Sequence, residues 1–315
     1  MSSRFSSPRR LWSVVLAGGE GTRLRPLVER IHTDGRPKQY AVLVGSRSLL
    51  RQTLDRVAMI VAPERTVVVT TKSHSPFFSA ELSEAGGPAP VVQPRDRGTA
   101  AGVLLPVHWI ARRDPHAVVA VFPSDHFVAD DRAFMAHIAD LTAAARRHPE
   151  RVLLLGAEPD APDTGYGWIE PGDELERRPE GALRRVVHFW EKPTLETAQS
   201  CMERGGLWNT FVMVATARTL IEAGRRSLPE LTERLARIAP LAGTGAEAAA
   251  VETAYARIAT ANFSGDVLAA VPAMLAVSRL PAIGWSDWGT PDRVIATLRK
   301  EGILPHWLRE LAPTA

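Results

Sequence analysis

Short, continuously apolar runs recur along the chain at wide intervals. Trp12–Ala17, Thr66–Thr71, Ala117–Phe122 and Val152–Ala157 are the clearest, and the second reads TVVVTT and the third AVVAVF. Runs of this kind predict strands buried on both faces of a parallel sheet. The segments between them, Ser48–Ile60, Thr99–Arg113 and Asp131–His148, carry helical patterns. The βαβα alternation predicts an open α/β sheet with helices on both sides.

Beyond Ala157 the pattern loosens. Pro159, Pro162, Gly165, Gly167, Pro171 and Gly172 predict a loop-rich stretch. Leu183–Trp190 then reads as a strand, Thr194–Arg204 as a helix and Trp208–Ala215 as another strand. Ala217–Thr260 is Ala- and Arg-rich and reads as helical. Pro281–Gly289 is a short loop or strand before a helix over Pro291–Glu301. There is no internal repeat, and no hexapeptide β-helix repeat after residue 290.

Composition narrows the classes. With 315 residues the chain suits one large domain, with at most a small appendage. A formal charge of +3 is too small a bias to imply nucleic-acid binding, yet allows a local basic pocket for phosphates. The lone Cys201 permits neither an intrachain disulfide nor a cysteine-based zinc site, which favours a reducing, cytoplasmic setting. Residues 1–10 read as a flexible leader without the apolar core of a secretory signal. No apolar stretch approaches the roughly 18 to 20 residues of a membrane span.

The first strand runs into Ala17-Gly18-Gly19-Glu20-Gly21-Thr22-Arg23-Leu24-Arg25-Pro26. A glycine-rich turn after a strand exposes backbone N–H groups that cradle phosphate oxygens, and Arg23 adds a planar charged fork. The P-loop fails here, because Gly21-Thr22-Arg23 stands where it needs Gly-Lys-Ser/Thr, and Leu24 occupies the last glycine position of the dinucleotide fingerprint. On its own, Gly-Gly-x-Gly is also the chemistry of an ordinary tight βα turn. Asp125, in Pro123-Ser124-Asp125-His126, closes a buried strand, where ligands of open α/β sheets collect. Asp287 lies in Gly284-Trp285-Ser286-Asp287-Trp288-Gly289-Thr290-Pro291, a turn before a helix that Pro291 begins. Two carboxylates with phosphate oxygens suit Mg²⁺. A turn or N-cap role is the plain alternative for both. His126 reads as a neighbour that orients the loop.

The string Gly18-Gly19-x-Gly21-Thr22-Arg23-Leu24-x-Pro26, followed by Arg36-Pro37-Lys38-Gln39-Tyr40, resembles the signature of the sugar-1-phosphate nucleotidyltransferases. The resemblance covers roughly residues 11–295. It implies a Rossmann-like open mixed sheet flanked by helices, the nucleotide-diphospho-sugar transferase fold, with a small helical extension over 296–315. Residues 11–157 would form the nucleotide-binding half and 158–295 the sugar-binding half. It implies that Ala17, Gly18, Gly19, Gly21, Thr22 and Arg23 wrap the triphosphate, that Arg23 and Lys38 neutralise charge at the reacting centre, and that Asp125 and Asp287 hold one Mg²⁺.

Further motifs follow in family order. Gln93-Pro94-Arg95-Asp96-Arg97-Gly98-Thr99-Ala100 resembles the stretch near the nucleobase, with Gln93 replacing the usual acid and Gly98 the asparagine. Gln93, Pro94, Thr99 and Ser124 are therefore nucleotide-side candidates, although Thr99 also suits a cap for the following helix. Tyr166 and Gly167 in Thr164-Gly165-Tyr166-Gly167-Trp168-Ile169, Glu191-Lys192-Pro193, and Asn209 in Trp208-Asn209-Thr210-Phe211 resemble the sugar-phosphate elements. There Lys192 would hold the sugar phosphate, while Thr210 and Phe211 depart from the family's Ser-Gly. Pro37-Lys38-Gln39-Tyr40 and Pro123-Ser124-Asp125-His126 point to the mannose-1-phosphate guanylyltransferase branch. The alternatives are a thymidylyl- or uridylyltransferase acting on glucose-1-phosphate, and a non-catalytic nucleotide-sugar-binding regulator. The expected partners are small-molecule substrates, with no nucleic acid and no membrane; a homodimer is compatible with the sequence.

Overall fold

The computed structural model describes residues 10–82 and 87–311. Of the expected leader only Arg10 lies within them, and residues 312–315 of the expected tail lie outside. In chain order the strands are β1 (Leu11–Leu16), β2 (Thr66–Thr71), β3 (Ala89–Gln93), β4 (Val118–Pro123), β5 (Val152–Ala157), β6 (Gly167–Arg178), β7 (Gly181–Glu191), β8 (Leu207–Thr216) and β9 (Leu275–Arg279). The first five helices are α1 (Arg25–Ile31), α2 (Leu49–Val57), α3 (Ser75–Glu81), α4 (Gly98–Arg113) and α5 (Asp131–Arg147). The others are α6 (Leu195–Glu203), α7 (Ala217–Ser227), α8 (Pro229–Ala236), α9 (Glu247–Tyr255), α10 (Pro291–Lys300) and α11 (His306–Leu311).

The strands form one mixed sheet in the order β3-β2-β1-β4-β8-β5-β9-β7-β6. Strands β1 to β4 pair in parallel, β8 runs antiparallel between β4 and β5, and β7 runs antiparallel to both β9 and β6. The two expected halves therefore share a sheet, since β8 from the second lies between two strands of the first. Side chains alternate across it. Trp12 and Val14 of β1 face α4 and α7, while Leu11 and Val15 face α2 and α5. Both faces are covered, which is why these strands read as unbroken apolar runs.

Two sequence expectations need correction, one is refined and two strands are added. The stretch expected to be loop becomes strand from Gly167 onward; register shifts around Pro171 absorb the proline on an edge strand. Ala217–Thr260 is helical as expected but divided, since Pro229 starts α8 and Gly243, at φ 75°, ends the run before α9. Strands β3 and β9, five residues each, were too short and irregular to stand out. Thr99 does not cap α4, which begins at Gly98 behind Arg97; its hydroxyl accepts from the Phe263 amide instead, at 2.8 Å.

Topology gathers one edge. Leu16 of β1 pairs with Pro123 of β4, so the glycine loop and Ser124-Asp125 leave the sheet side by side. The antiparallel β8 starts at this same edge, with Trp208 paired to Ala157, the last residue of β5. Gly167 and Glu191 are also paired there, at the start of β6 and the end of β7. Every motif strand thus presents its functional end to one crevice.

Candidate active site

The glycine loop is braced from below by the Pro-Lys-Gln-Tyr string, a single turn at residues 38–40. Buried Gln39 donates through Nε2 to the carbonyls of Ala17 and Gly19, at 2.8 and 2.9 Å. The Tyr40 hydroxyl reaches the Ala17 carbonyl at 3.3 Å and Thr70 Oγ1 at 2.9 Å. With these carbonyls tied inward, Gly19, Thr22 and Arg23 remain exposed. Gly21 adopts φ 60°, and a Cβ there would stand 2.7 Å from Lys38 Cβ; the turn demands glycine on both counts.

Lys38 is the hub. Only 4% of its side chain is exposed, and Nζ lies 3.0 Å from Asp125 Oδ2 and 2.6 Å from the Asp287 carbonyl. The two expected aspartates thus meet at one cation, across 162 positions of sequence, as an ammonium held by a carboxylate and a carbonyl. The Asp287 carboxylate itself turns aside. It accepts from the Tyr166 hydroxyl at 2.7 Å, from the Gly289 amide at 3.1 Å and from Arg293 Nη1. Burial opposes its ionisation, but His126, Arg293, Tyr166 and Lys38 outweigh this and hold its pKa below the usual carboxylate value.

These donors suit a hard cation. The Asp125 carboxylate and the Asp287 carbonyl bring two oxygens to Lys38 Nζ, while among the described residues no group of three His, Cys, Asp or Glu side chains is able to hold a metal. One or two carboxylates suffice for Mg²⁺ when phosphates and water complete its shell. His126 is not built as a base. Burial lowers its pKa to about 4, and its Nδ1 accepts from Trp285 Nε1 at 3.3 Å.

On the base side, Gln93 is buried, and the Tyr255 hydroxyl donates to its Oε1 at 2.8 Å. Its Nε2 faces Gly18. Pro94 follows at the rim, half-buried. Gly98, in place of the family's asparagine, has φ 76°, and a Cβ there would overlap the Ala261 carbonyl oxygen. Both residue types tolerate this left-handed backbone, but only glycine fits so close to Ala261. Ser124 is buried where β1 and β4 end, its amide donating to the Leu16 carbonyl at 3.2 Å.

At the expected sugar end, Glu191 Oε2 lies against Gly167, 3.0 Å from where a Cβ would be, and Gly265 closes over its stem. Burial raises the Glu191 pKa, and Lys192 partly offsets this. Lys192 is itself 60% exposed, with φ 48°. Asn209 donates through Nδ2 to Ser264 Oγ at 3.3 Å and accepts from the Phe211 amide at 3.1 Å. Phe211 keeps a left-handed φ of 59°, which explains the family's glycine at this position. Lys192, Phe211 and Trp288 are three of the four non-glycine residues with positive φ among those described, and all three lie in motif segments.

Sequence reasoning missed Arg293, Asp163, Tyr255 and Ser264. The only local signal was the turn chemistry of Asp163, whose Oδ1 accepts from the Gly165 amide at 2.7 Å.

A family profile described as nucleotidyl transferase matches residues 12–301. The chain belongs to the nucleotidyl transferase family. It is 33% identical over 224 residues to the xanthan biosynthesis protein XanB of Xanthomonas campestris pv. campestris (strain B100), covering 70% of this chain and 45% of that one. It is 34% identical over 218 residues to a mannose-1-phosphate guanylyltransferase of Salmonella montevideo, covering 66% and 44%. The chain thus spans about half the length of the curated relatives it matches. A solved structure described as mannose-1-phosphate geranyltransferase from Thermus thermophilus superposes with a TM-score of 0.74 at 31% identity, covering 89% of this chain and 76% of that one. A protein described as mannose-6-phosphate isomerase from Helicobacter pylori shares the fold, with a TM-score of 0.70 at 19% identity, covering 88% and 99%.

Proposed function

We propose that this nucleotidyltransferase joins GTP and mannose-1-phosphate, giving GDP-mannose and pyrophosphate. One observation carries the reading: Arg23, Lys38, Asp125 and Asp287 gather beyond the ends of β1 and β4, at the same sheet edge where Glu191 and Asn209 pack against Gly167. Cations and hydroxyl-binding groups thus share one edge of the sheet. The relatives named mannose-1-phosphate guanylyltransferase, together with the Pro-Lys-Gln-Tyr and Pro-Ser-Asp-His strings, support the choice of base and sugar.

In this reading a sugar-phosphate oxygen attacks the α-phosphorus of the triphosphate and pyrophosphate leaves. The nucleophile is already anionic, so no strong base is required, in keeping with a neutral His126. The loop amides and Arg23 hold the triphosphate. Lys38, fixed by two oxygen partners, places positive charge beside the reacting phosphate without reorganisation. Lys192 reaches from its exposed turn to hold the incoming phosphate, and Glu191 and Asn209 orient the sugar. Asp125 and Asp287 would hold Mg²⁺, which supplies charge neutralisation for the α-phosphate and departing pyrophosphate.

The test is a pyrophosphate-release panel of four nucleoside triphosphates against mannose-, glucose- and N-acetylglucosamine-1-phosphate. GTP with mannose-1-phosphate should give the highest kcat/KM. A clear preference for UTP or dTTP would overturn the guanylyl assignment and leave the reaction class intact. No release from any pair would favour a non-catalytic nucleotide-sugar binder.

A further inference from the structure

Arg293 lies in the first turn of α10 and belongs to none of the motifs. Its Nη1 donates to both carboxylate oxygens of Asp287, at 3.2 and 3.1 Å, and its Nη2 pairs with Asp163 Oδ2. Its guanidinium carbon stands 4.2 Å from the centre of the Tyr166 ring, whose hydroxyl also serves Asp287. One side chain therefore joins α10, the Asp287 turn and the loop that enters Gly167. Arg23 is close by. A Cβ placed on Gly289 would stand 3.0 Å from Arg293 Nη1 and 3.1 Å from Arg23 Nη2.

The arrangement addresses a conflict at this site. The Asp287 carbonyl already accepts from Lys38, and its carboxylate is only 14% exposed. With no cation of its own, that carboxylate would turn to the nearest other ones, Lys38 and Arg23. Lys38 is already paired with Asp125, so this second carboxylate would compete for its ammonium and would neutralise Arg23 before a triphosphate arrived. Arg293 removes the conflict. Its fork serves both Asp287 oxygens and Asp163 at once, so one guanidinium holds two carboxylates in place, at a net charge of −1 for the three groups.

We propose that Arg293 is a positioning residue for nucleotidyl transfer: it fixes the Asp287 carboxylate, keeps this second carboxylate from competing for Lys38 and Arg23, and ties that orientation to the Tyr166–Gly167 loop. This rests on the nucleotidyltransferase reading of the site. A lysine at 293 would supply charge but no fork, and so would serve Asp287 or Asp163 but not both.

The experiment compares Arg293→Ala, Arg293→Lys and Arg293→Gln with the unaltered chain. GTP·Mg²⁺ affinity is measured by calorimetry without acceptor, and kcat, both KM values and Tm with the best pair from the panel. Arg293→Ala and Arg293→Gln should weaken triphosphate binding about tenfold, the loss of one charged contact. They should lower kcat by up to about 10²-fold, with a smaller change in the KM for the sugar phosphate. Arg293→Lys should recover part of the triphosphate affinity. A lowered Tm with wild-type affinity and kcat would make Arg293 a staple of α10 and overturn the proposal. So would equal losses in all three variants confined to the sugar-phosphate KM. If the unaltered chain releases no pyrophosphate from any pair, the functional reading fails, while triphosphate affinity still reports whether Arg293 acts on that site.

Discussion

Replacing Lys38 by Met separates what its ammonium does for folding from what it does for the reaction. The side chain is 4% exposed, but its partner Asp125 is 31% exposed and gains water once the ammonium is gone. Breaking a fully buried pair costs roughly 3–5 kcal/mol, and exposed pairs contribute about 0–1 kcal/mol. With one partner able to hydrate, a cost of about 1–2 kcal/mol follows. For a domain of this size that lowers Tm by only a few degrees, and a protein stable by about 5–15 kcal/mol stays almost wholly folded. The catalytic loss should be larger. Removing one preorganised charge stabiliser costs about 10²–10³ in kcat, roughly 2.7–4 kcal/mol. Lys38→Met should therefore lose turnover far beyond any loss of folded protein, measured by pyrophosphate release alongside a thermal melt. Lys38→Arg, which keeps the charge but brings a wider head into the space beside Gly21, should recover only part of it. A Lys38→Met enzyme within threefold of the unaltered kcat would refute the role given to the ammonium. A melt lowered by tens of degrees would refute the energetic reasoning.

Four further outcomes are expected. Lys192→Ala should raise the KM for the sugar phosphate and leave GTP affinity by calorimetry nearly unchanged; the reverse pattern would mean the two phosphate sites have been exchanged. Asp125→Asn and Asp287→Asn should each lower turnover about 10²-fold at limiting Mg²⁺, with the double change costing much less than the sum, since groups acting as a unit are non-additive. Asp140→Ala should destabilise by about 3 kcal/mol in denaturant titration without altering KM, because it strips the carboxylate from Arg178, whose side chain is 1% exposed. Burial lowers the pKa values of His108, His126 and His137 to about 4, from an ordinary 6.5. The folded state then binds fewer protons than the unfolded one between these values, so stability is intact above pH 6.5 and falls as pH drops toward 4. The slope should approach roughly two to three protons, and His137→Gln should reduce it by about one.

The parts of the site that were legible in the sequence are those whose chemistry is local. The glycine loop announces itself because a strand, three glycines and an arginine lie within a few residues, and Asp125 because it follows an unbroken apolar strand. The β3 and β9 strands were not legible, since each has only five residues and takes its place from its neighbours in the sheet. Tyr255 was hidden for a similar reason: it is one tyrosine in an Ala-rich helix, and its hydroxyl acts on Gln93, 162 positions away. Arg293 reaches Asp163 across 130 positions. No spacing rule encodes such distances; only packing creates them.

Asp287 shows where the boundary falls within a single residue. The turn chemistry of Trp285-Ser286-Asp287-Trp288-Gly289 was readable, and so was its likeness to a metal-holding aspartate. What the string does not contain is the direction of the side chain. Trp288 sits at φ 47°, fully buried and stacked on Phe127 at 4.7 Å, and this strained anchor fixes the backbone so that the Asp287 carbonyl meets Lys38. The carboxylate must then point elsewhere, and Tyr166 and Arg293 receive it. One aspartate thereby contributes three oxygens to two different cations: its carbonyl goes to Lys38, and both carboxylate oxygens go to Arg293, beside the Tyr166 loop. The residue thus joins the glycine-loop end of the crevice to the Tyr166–Gly167 loop, a link across 121 positions of sequence that packing alone creates.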